Sequence, residues 1–99
     1  MTLPVTFNAA AQTEFVEAAA WYEAQRPGLG AVFIAQVEHC LRRIAEQPAR
    51  YPVVHNGVRR VMTARFPYSI YFDAHGPRIV VLAVFHGRRD PASWQRRVP

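Results

Sequence analysis

The sequence predicts an α+β domain in which a helical hairpin packs on one face of a four-stranded, largely antiparallel sheet. Two observations predict this class. Residues 9–47 place apolar side chains at helical spacing with one break, and residues 58–86 contain three runs of strand character. A chain of 99 residues has the length of one domain, so we expect a single domain over residues 1–99. The expected order is β-α-α-β-β-β, and a short helix can follow at the C-terminus.

The helical hairpin follows a short first strand. Residues 3–7 alternate in polarity, and Asn8 is a favourable N-cap for an amphipathic helix over residues 9–25. Pro27 and the glycines beside it break this helix and predict a turn between two helices. A second amphipathic helix is predicted over residues 29–47, and the proline that follows ends it.

Three consecutive strands are predicted in the second half of the chain. A connector over residues 49–57 leads to a first strand over residues 58–66, whose side chains alternate in character. Residues 68–72 are aromatic and β-branched, and residues 73–77 have the composition of a hairpin loop. Residues 78–86 are apolar at nearly every position, so this strand needs cover on both faces.

The last predicted strand carries an apolar strip that the two helices do not cover. One parity holds Ile79, Val81, Ala83 and Phe85, and the other holds Val80, Leu82 and Val84. Since a helical hairpin covers one face of the sheet, either the C-terminal segment folds across the second face or another chain does. We therefore expect this strip to meet a partner.

Composition narrows the classes of function. All 12 basic residues are arginine, and the acidic residues number 7. The resulting net charge of +5 favours an acidic partner such as nucleic acid, a nucleoprotein or an acidic protein segment. A GC-rich genome would produce the same preference for arginine. Cys40 is the only cysteine, which excludes an internal disulfide and a cysteine metal site, so a reduced cytoplasmic chain without metal or cofactor is expected. No segment has the length and apolar character of a membrane span or a signal peptide.

Candidate functional residues lie at the ends of the predicted strands. They are cationic or titratable side chains, namely Arg59, Arg60, Arg65, His86, Arg88 and Arg89. Arg59 and Arg65 share a parity and can instead form a solvated face or pair with Glu14 or Glu17 of the first helix. Asp90 followed by proline is a good start signal for the short C-terminal helix, which Trp94 would anchor.

An ordered set of short motifs runs along nearly the whole chain. It comprises Glu14-Phe15, Gly28-Leu29-Gly30 with Phe33, Pro48 with Tyr51-Pro52, Arg59-Arg60, Phe66-Pro67-Tyr68 with Ile70-Tyr71, and His86-Gly87-Arg88-Arg89-Asp90-Pro91. With this set the sequence resembles the toxins of the RelE/ParE superfamily, the small basic proteins of bacterial toxin–antitoxin pairs. The last strand running into His-Gly-Arg-Arg-Asp is closer to the ParE branch.

The resemblance to the ParE branch implies an inhibitor that binds DNA gyrase and performs no chemistry. On this interpretation the target-binding residues are Arg59, Arg60, Arg65, Arg88, Arg89 and Trp94. The partner implied is a small, acidic, partly disordered antitoxin, which would form a hetero-oligomer with the chain in the cytoplasm. Its segment would bury the strip of Val80, Leu82 and Val84 and screen the arginines.

The resemblance also leaves an enzyme open as the alternative. RelE-like members cut messenger RNA on the ribosome without metal, using the RNA 2′-hydroxyl as the nucleophile, and this needs a base, an acid and cations around the phosphate. The catalytic candidates would be Arg65, His86 and Arg89. RelE-like enzymes carry an arginine in the strand where Tyr68 stands here, which favours the inhibitor. A non-catalytic nucleic-acid-binding module is the third hypothesis.

Overall fold

The computed structural model describes residues 2–98, apart from the side chain at position 75. The strands are β1 (Val5–Phe7), β2 (Val53–His55), β3 (Val58–Met62), β4 (Tyr68–His75) and β5 (Arg78–His86), and the helices are α1 (Ala9–Gln25), α2 (Leu29–Glu46) and α3 (Ala92–Gln95). The sheet order is β1-β5-β4-β3-β2, with β1 parallel to β5 and the other neighbours antiparallel. The predicted α+β class, the helical hairpin and the short C-terminal helix are confirmed.

Side-chain caps mark the start of each long helix, and a close approach joins the two helices near their turn. Asn8 caps α1 as predicted, because its side chain accepts a hydrogen bond of 2.8 Å from the Ala11 N–H. Glu23 near the end of α1 caps the start of α2, accepting from the N–H groups of Gly28 at 2.9 Å and Gly30 at 3.0 Å. A Cβ on Gly30 would meet a backbone oxygen of α1 at 2.7 Å, so the helices cross where only glycine fits.

The sheet has five strands where the sequence predicts four. The extra strand, β2, lies in the segment predicted as a connector, so that prediction is wrong. Asn56 (φ 43°) and Gly57 (φ 80°) both adopt a left-handed backbone, which is the requirement of a tight two-residue hairpin. This Asn-Gly turn folds β2 back against β3 and adds a short edge strand.

The first two strands of the predicted meander also have different limits. β3 ends at Met62 and does not continue to residue 66, because Thr63 starts a tight turn: its hydroxyl donates to the carbonyls of Phe66 at 2.9 Å and Tyr68 at 3.1 Å. Arg65 sits in this turn with a positive φ of 73°. β4 extends to residue 75, so the hairpin loop before β5 is shorter than predicted.

A β-bulge changes which side chains of β5 face the helices. Tyr71 pairs with Ala83 and Phe72 with Val81, so Leu82 is an extra residue without a partner on β4. The parity therefore reverses after Leu82, and Val84 joins the core beneath the helices with 1% of its surface exposed. The prediction that Val84 lies on the uncovered strip is wrong, whereas Val80 and Leu82 keep part of their surface accessible.

The chain's own C-terminal segment covers part of the second face of the sheet. Trp94 of α3 stacks on Tyr71 with ring centroids 4.1 Å apart and forms a small second core with Val58, Ala83 and Phe85. Trp94 anchors α3 as predicted, but it is only 1% exposed. Its assignment as a target-binding residue is therefore wrong, because the ring is buried under the segment that it anchors.

Candidate functional site

A cleft opens between α1 and the adjoining ends of β4 and β5. It has a volume of 190 Å³ and is lined by Glu14, Glu17, Ala18, Trp21, Tyr68, Val84, His86 and Arg89. A second cavity of 380 Å³ adjoins it and shares Trp21, Tyr68 and His86. Two of the candidate residues, His86 and Arg89, thus face one cleft, because β5 ends there and the following turn passes α1 at Glu14.

Glu14 is the centre of the polar network beside this cleft. Its carboxylate pairs with Arg97 at 2.8 Å and with Arg89 at 3.2 Å. It also accepts a hydrogen bond of 3.1 Å from the backbone N–H of Val84, and Arg97 donates to the Leu82 carbonyl at 2.9 Å. Glu14 therefore pairs with arginines of the C-terminal segment, and not with Arg59 or Arg65 as the sequence suggested.

This network satisfies a strand edge that β1 leaves open. β1 pairs with β5 only from Ile79 to Val81, so the following residues of β5 have no strand on that side. The carboxylate of Glu14 and the guanidinium of Arg97 supply the acceptor and the donor that a neighbouring strand would have supplied. Sequence reasoning missed this role of both residues, although one signal was present: Glu14 lies between Ala11 and Ala18 on the buried side of α1.

Arg89 is held in place from two directions. Its guanidinium lies 3.9 Å from the centre of the Phe85 ring, and the same group pairs with Glu14. About half of the side chain, 49%, remains exposed to solvent. Arg89 is thus an oriented cation at the surface, which is an arrangement suited to binding an acidic group at low entropic cost.

The protonation pattern of His86 follows from its hydrogen bond. Its Nδ1 accepts from the backbone N–H of Arg88 at 3.0 Å, so the neutral ring carries its proton on Nε2. The ring packs edge-on against Tyr68 with centroids 5.3 Å apart. Burial, and secondarily the neighbouring Tyr22, raises the pKa of Tyr68, which keeps its hydroxyl protonated at neutral pH. Neither group is poised as a base.

The other predicted arginines divide between two regions. Arg65 lies in the turn after β3, and this turn is next to the end of β5, since the Gly87 N–H donates to the Pro67 carbonyl at 2.7 Å. Arg65, Arg88 and Arg89 therefore share one end of the sheet, which we call the arginine rim. Arg65 does not line the cleft with His86, so the three catalytic candidates are not brought together.

Arg59 and Arg60 lie away from the arginine rim. Arg59 pairs with Phe72 in the middle of the sheet, and its guanidinium donates to the backbone carbonyls of Ala49 and Tyr51. Arg60 is the next residue of the strand and faces the opposite side. Their prediction as members of one patch with Arg88 is wrong, because β3 runs along the sheet and does not end at Arg60.

The structure offers neither a metal cluster nor a spanning helix in the part that it describes. Within residues 2–98, no three His, Cys, Asp or Glu side chains come together in a geometry that would hold a metal ion. None of the helices in this range is long and apolar enough to cross a bilayer.

Comparison with known proteins gives a consistent result. Residues 5–91 match the family model described as the ParE toxin of the type II toxin–antitoxin system parDE. The fold is similar to a chain of the chromosomal ParDE system from P. aeruginosa, with a TM-score of 0.75, 16% identity, and coverage of 86% of this chain and 96% of that chain. It is also similar to a chain of the toxin–antitoxin complex RelBE2 from Mycobacterium tuberculosis, with a TM-score of 0.59, 18% identity, and coverage of 87% and 92%. No curated protein sequence matches the chain.

Proposed function

Because this chain belongs to the ParE toxin family of type II toxin–antitoxin systems, we propose that it binds and inhibits DNA gyrase and that an acidic antitoxin neutralises it. The proposed contact surface for gyrase is the arginine rim formed by Arg65, Arg88 and Arg89. The proposed action takes place in the bacterial cytoplasm, where gyrase and the antitoxin would both be found.

The observation that carries this proposal is the oriented guanidinium of Arg89 within the arginine rim. Glu14 and the Phe85 ring orient Arg89, and the Arg88 N–H donates to Nδ1 of the His86 side chain in the turn beside it. Arg88 is exposed, and its guanidinium has no hydrogen bond or ion pair within residues 2–98. An oriented guanidinium on Arg89 next in sequence to the uncompensated one of Arg88 forms a cationic site suited to carboxylates or DNA phosphates.

The chemistry of the cleft supports binding without catalysis. The base-capable nitrogen of His86 is occupied by the Arg88 N–H, and burial keeps Tyr68 protonated by raising its pKa. The charge of Arg89 is partly compensated by Glu14, which also pairs with Arg97. A histidine whose acceptor nitrogen is already engaged and a cation that is partly compensated are poorly suited to RNA cleavage.

An acidic antitoxin is supported by the charge and by the fold neighbours. The net charge of +5 would attract an acidic segment, and the fold neighbours come from a ParDE system and a RelBE2 complex. Within β5, the contact proposed for the antitoxin is limited to Val80 and Leu82, whose surfaces are partly accessible. We propose a hetero-oligomer with this partner.

Supercoiling of relaxed plasmid by purified gyrase tests the proposal. The wild-type chain should inhibit the reaction, and the Arg65→Ala/Arg88→Ala variant should need roughly tenfold more protein, since interface arginines are frequent hot spots. Arg78→Ala/Arg96→Ala is the matched control, because it removes the same charge from exposed positions outside the arginine rim. An equal loss of inhibition in both double variants would show that the total charge matters and the position of the arginines does not. If the wild-type chain did not inhibit supercoiling, the proposal would be refuted.

The ribonuclease is kept as a second candidate because His86 and Arg89 line the same cleft. Purified chain and programmed ribosomes provide its test. If the chain were this enzyme, messages would be cut at codon positions, and His86→Ala would slow cutting by about 10²-fold or more, the usual contribution of a general acid or base. We expect the message to stay intact with wild-type chain and with the variant.

A further inference from the structure

An aromatic cavity lies between α1 and the arginine rim. Its volume is 380 Å³, and five ring-bearing residues line it, namely Trp21, Tyr22, Pro67, Tyr68 and His86. The cavity adjoins the cleft that Arg89 lines, and Pro67 lies two residues after Arg65 of the arginine rim. The proposed contact of the arginines with gyrase assigns no ligand to this cavity.

Trp21 forms the accessible wall of the aromatic cavity. Of its surface, 59% is exposed, although tryptophan is a residue that folded proteins bury on average. Its ring packs edge-on against Tyr22, with centroids 5.1 Å apart. An indole offers a large apolar surface at a low cost in conformational entropy, and tryptophan is enriched among the residues that dominate binding energy at interfaces. Trp21 is therefore a surface that a ligand can cover.

The polar side-chain atoms of the aromatic cavity can all donate hydrogen bonds. The neutral His86 ring carries its proton on Nε2, because Nδ1 accepts from the Arg88 N–H. Burial raises the pKa of Tyr22, and burial is also the largest cause that raises the pKa of Tyr68, so both hydroxyls stay protonated at neutral pH. A ligand that fills this cavity is therefore expected to bring an apolar ring with acceptor oxygens near its edge.

The charges at the border of the aromatic cavity favour an acidic group beside that ring. Arg89 is oriented by Glu14, and the guanidinium of the neighbouring Arg88 has no ion pair in the described part of the chain. Glu17 borders the adjoining cleft one helical turn before Trp21. A carboxylate of the ligand is thus favoured on the side of β5, where the arginines lie, and disfavoured on the side of α1.

An aromatic side chain fits the walls of the aromatic cavity better than a nucleobase does. Both kinds of ring stack on tryptophan, but adenine, guanine and cytosine also carry an amino group that needs an acceptor. None of the residues that line the cavity has a carboxylate or amide side chain to accept from it. A phenyl ring has no such requirement, and aromatic residues are enriched at the centre of protein interfaces.

We propose that the aromatic cavity receives an aromatic side chain of gyrase that has an acidic residue next to it in the gyrase sequence. The ring packs against Trp21, and the carboxylate contacts Arg88 or Arg89. This inference rests on the proposed function in that gyrase supplies the side chain. It assigns most of the binding energy to an apolar anchor and the orientation of the complex to the arginine rim.

The fluorescence of Trp21 tests the cavity in the absence of gyrase. In the Trp94→Phe variant Trp21 is the one remaining tryptophan, so the emission reports on the cavity. We expect the capped peptide Asp-Phe-Asp to change this emission at millimolar concentration. Asp-Ala-Asp should bind about tenfold more weakly because it lacks the ring, and Asn-Phe-Asn about threefold more weakly because exposed charge pairs contribute little.

Supercoiling by gyrase tests whether gyrase supplies the side chain. Trp21→Ala should require about tenfold more chain for the same inhibition, whereas Trp21→Phe keeps a ring and should require less than about threefold more. Val16→Ala is the matched control, because Val16 is 56% exposed on the same helix and does not line the cavity. This control should inhibit as the wild type does. Since both positions are exposed, urea unfolding of all three variants should stay close to that of the wild type.

The inference fails on any of four results. They are an unchanged Trp21 emission with Asp-Phe-Asp, equal binding of Asp-Ala-Asp, tighter binding of adenosine monophosphate than of Asp-Phe-Asp, and equal inhibition of gyrase by Trp21→Ala and Val16→Ala. In the last case inhibition by the wild type would still support the proposed function. A chain that binds the peptide at Trp21 but never inhibits gyrase would contradict the proposed function and the identity of the partner, and would leave the ligand chemistry of the cavity standing.

Discussion

At the scale of single residues, Glu14 connects more of the molecule than any other side chain of the cleft. It links α1 to β5 through the Val84 N–H and to the C-terminal segment through Arg97 and Arg89. Its side chain is only 11% exposed, so these contacts are partly shielded from water. Removing its charge should weaken its contacts with the edge of β5, with the C-terminal segment and with Arg89 at the same time.

We predict that Glu14→Gln lowers the free energy of unfolding by about 1–2 kcal/mol, because it keeps an acceptor for Val84 but loses the charge facing two arginines. Glu17→Gln is the control, since Glu17 is exposed one turn away, and should change stability by less than about 0.5 kcal/mol. Urea unfolding measures both variants. Equal effects of the two substitutions would mean that the Glu14 network contributes nothing specific.

Trp94 provides a second prediction, because its indole N–H is buried without a hydrogen-bond partner within residues 2–98. Trp94→Phe keeps most of the ring and removes this unsatisfied donor, so we expect a change in unfolding free energy within about 1 kcal/mol. Trp94→Ala removes the ring that stacks on Tyr71 and should cost about 3–5 kcal/mol. Urea unfolding of both variants tests this, and a large loss in Trp94→Phe would show that the N–H does have a partner.

Cys40 is predicted to be chemically inert in the folded chain. It is 6% exposed, and burial raises the pKa of its thiol, an effect that the charge of Arg43 opposes but does not outweigh. A raised pKa lowers the thiolate fraction at neutral pH, and the thiolate is the reactive form. We expect a thiol reagent at pH 7 to modify Cys40 only after unfolding in urea. Rapid modification of the native chain would contradict the burial of this side chain.

At the scale of secondary-structure elements, the crossing of α1 and α2 depends on Gly30. A methyl group there would meet the Ala19 carbonyl at 2.7 Å and Glu23 at 3.0 Å, so the helices would have to move apart. In an ordinary helix, glycine to alanine stabilises by about 0.5–1 kcal/mol. We predict that Gly30→Ala instead destabilises by about 1–3 kcal/mol, as measured by urea unfolding.

The control for this substitution is Ala31→Gly, at the neighbouring exposed position of the same helix. It should cost about 1 kcal/mol through helix propensity alone. The two variants thus exchange the same methyl group in opposite directions, and both should lose stability. A Gly30→Ala variant more stable than the wild type would show that the helices do not meet closely at this point.

Most elements were predictable from the sequence because their signals are local. The Asn8 cap, the break at Pro27 and the Asp90 start signal each act through neighbouring backbone groups, and the structure places helix ends there. The bulge at Leu82 was not predictable, since strict alternation was the only available rule for β5 and the bulge depends on pairing with β4. β2 was missed although Asn56-Gly57 is a strong hairpin signal, because the flanking strand has only three residues.

At the scale of the whole molecule, the sequence shows which residues are cationic but not which of them lie together in the fold. The cationic character of Arg88 and Arg89 and their place after the last strand follow from local sequence. Whether Arg59 joins them depends on strand lengths and register, which are tertiary properties. The pairing of Glu14 with Arg97 joins residues 83 positions apart, and no local rule predicts such a contact.

Which segment covers the second face of the sheet is also a tertiary property that local sequence does not determine. The sequence left open whether the C-terminal segment or another chain covers it, and α3 with Trp94 covers the part around Phe85. The arginine rim and part of the surface of Val80 and Leu82 remain accessible. A partner is therefore expected to bind at the end of the sheet that carries the arginine rim, or against these two side chains of β5.

The most direct measurement of the central claim adds the purified chain in increasing amounts to gyrase with plasmid DNA, and in parallel to programmed ribosomes. We predict that supercoiling falls in proportion to the amount of chain until the gyrase is saturated, as expected of a binding inhibitor, while the message on the ribosomes stays intact. Intact supercoiling together with message cleavage by amounts of chain far below the amount of ribosomes would contradict the account.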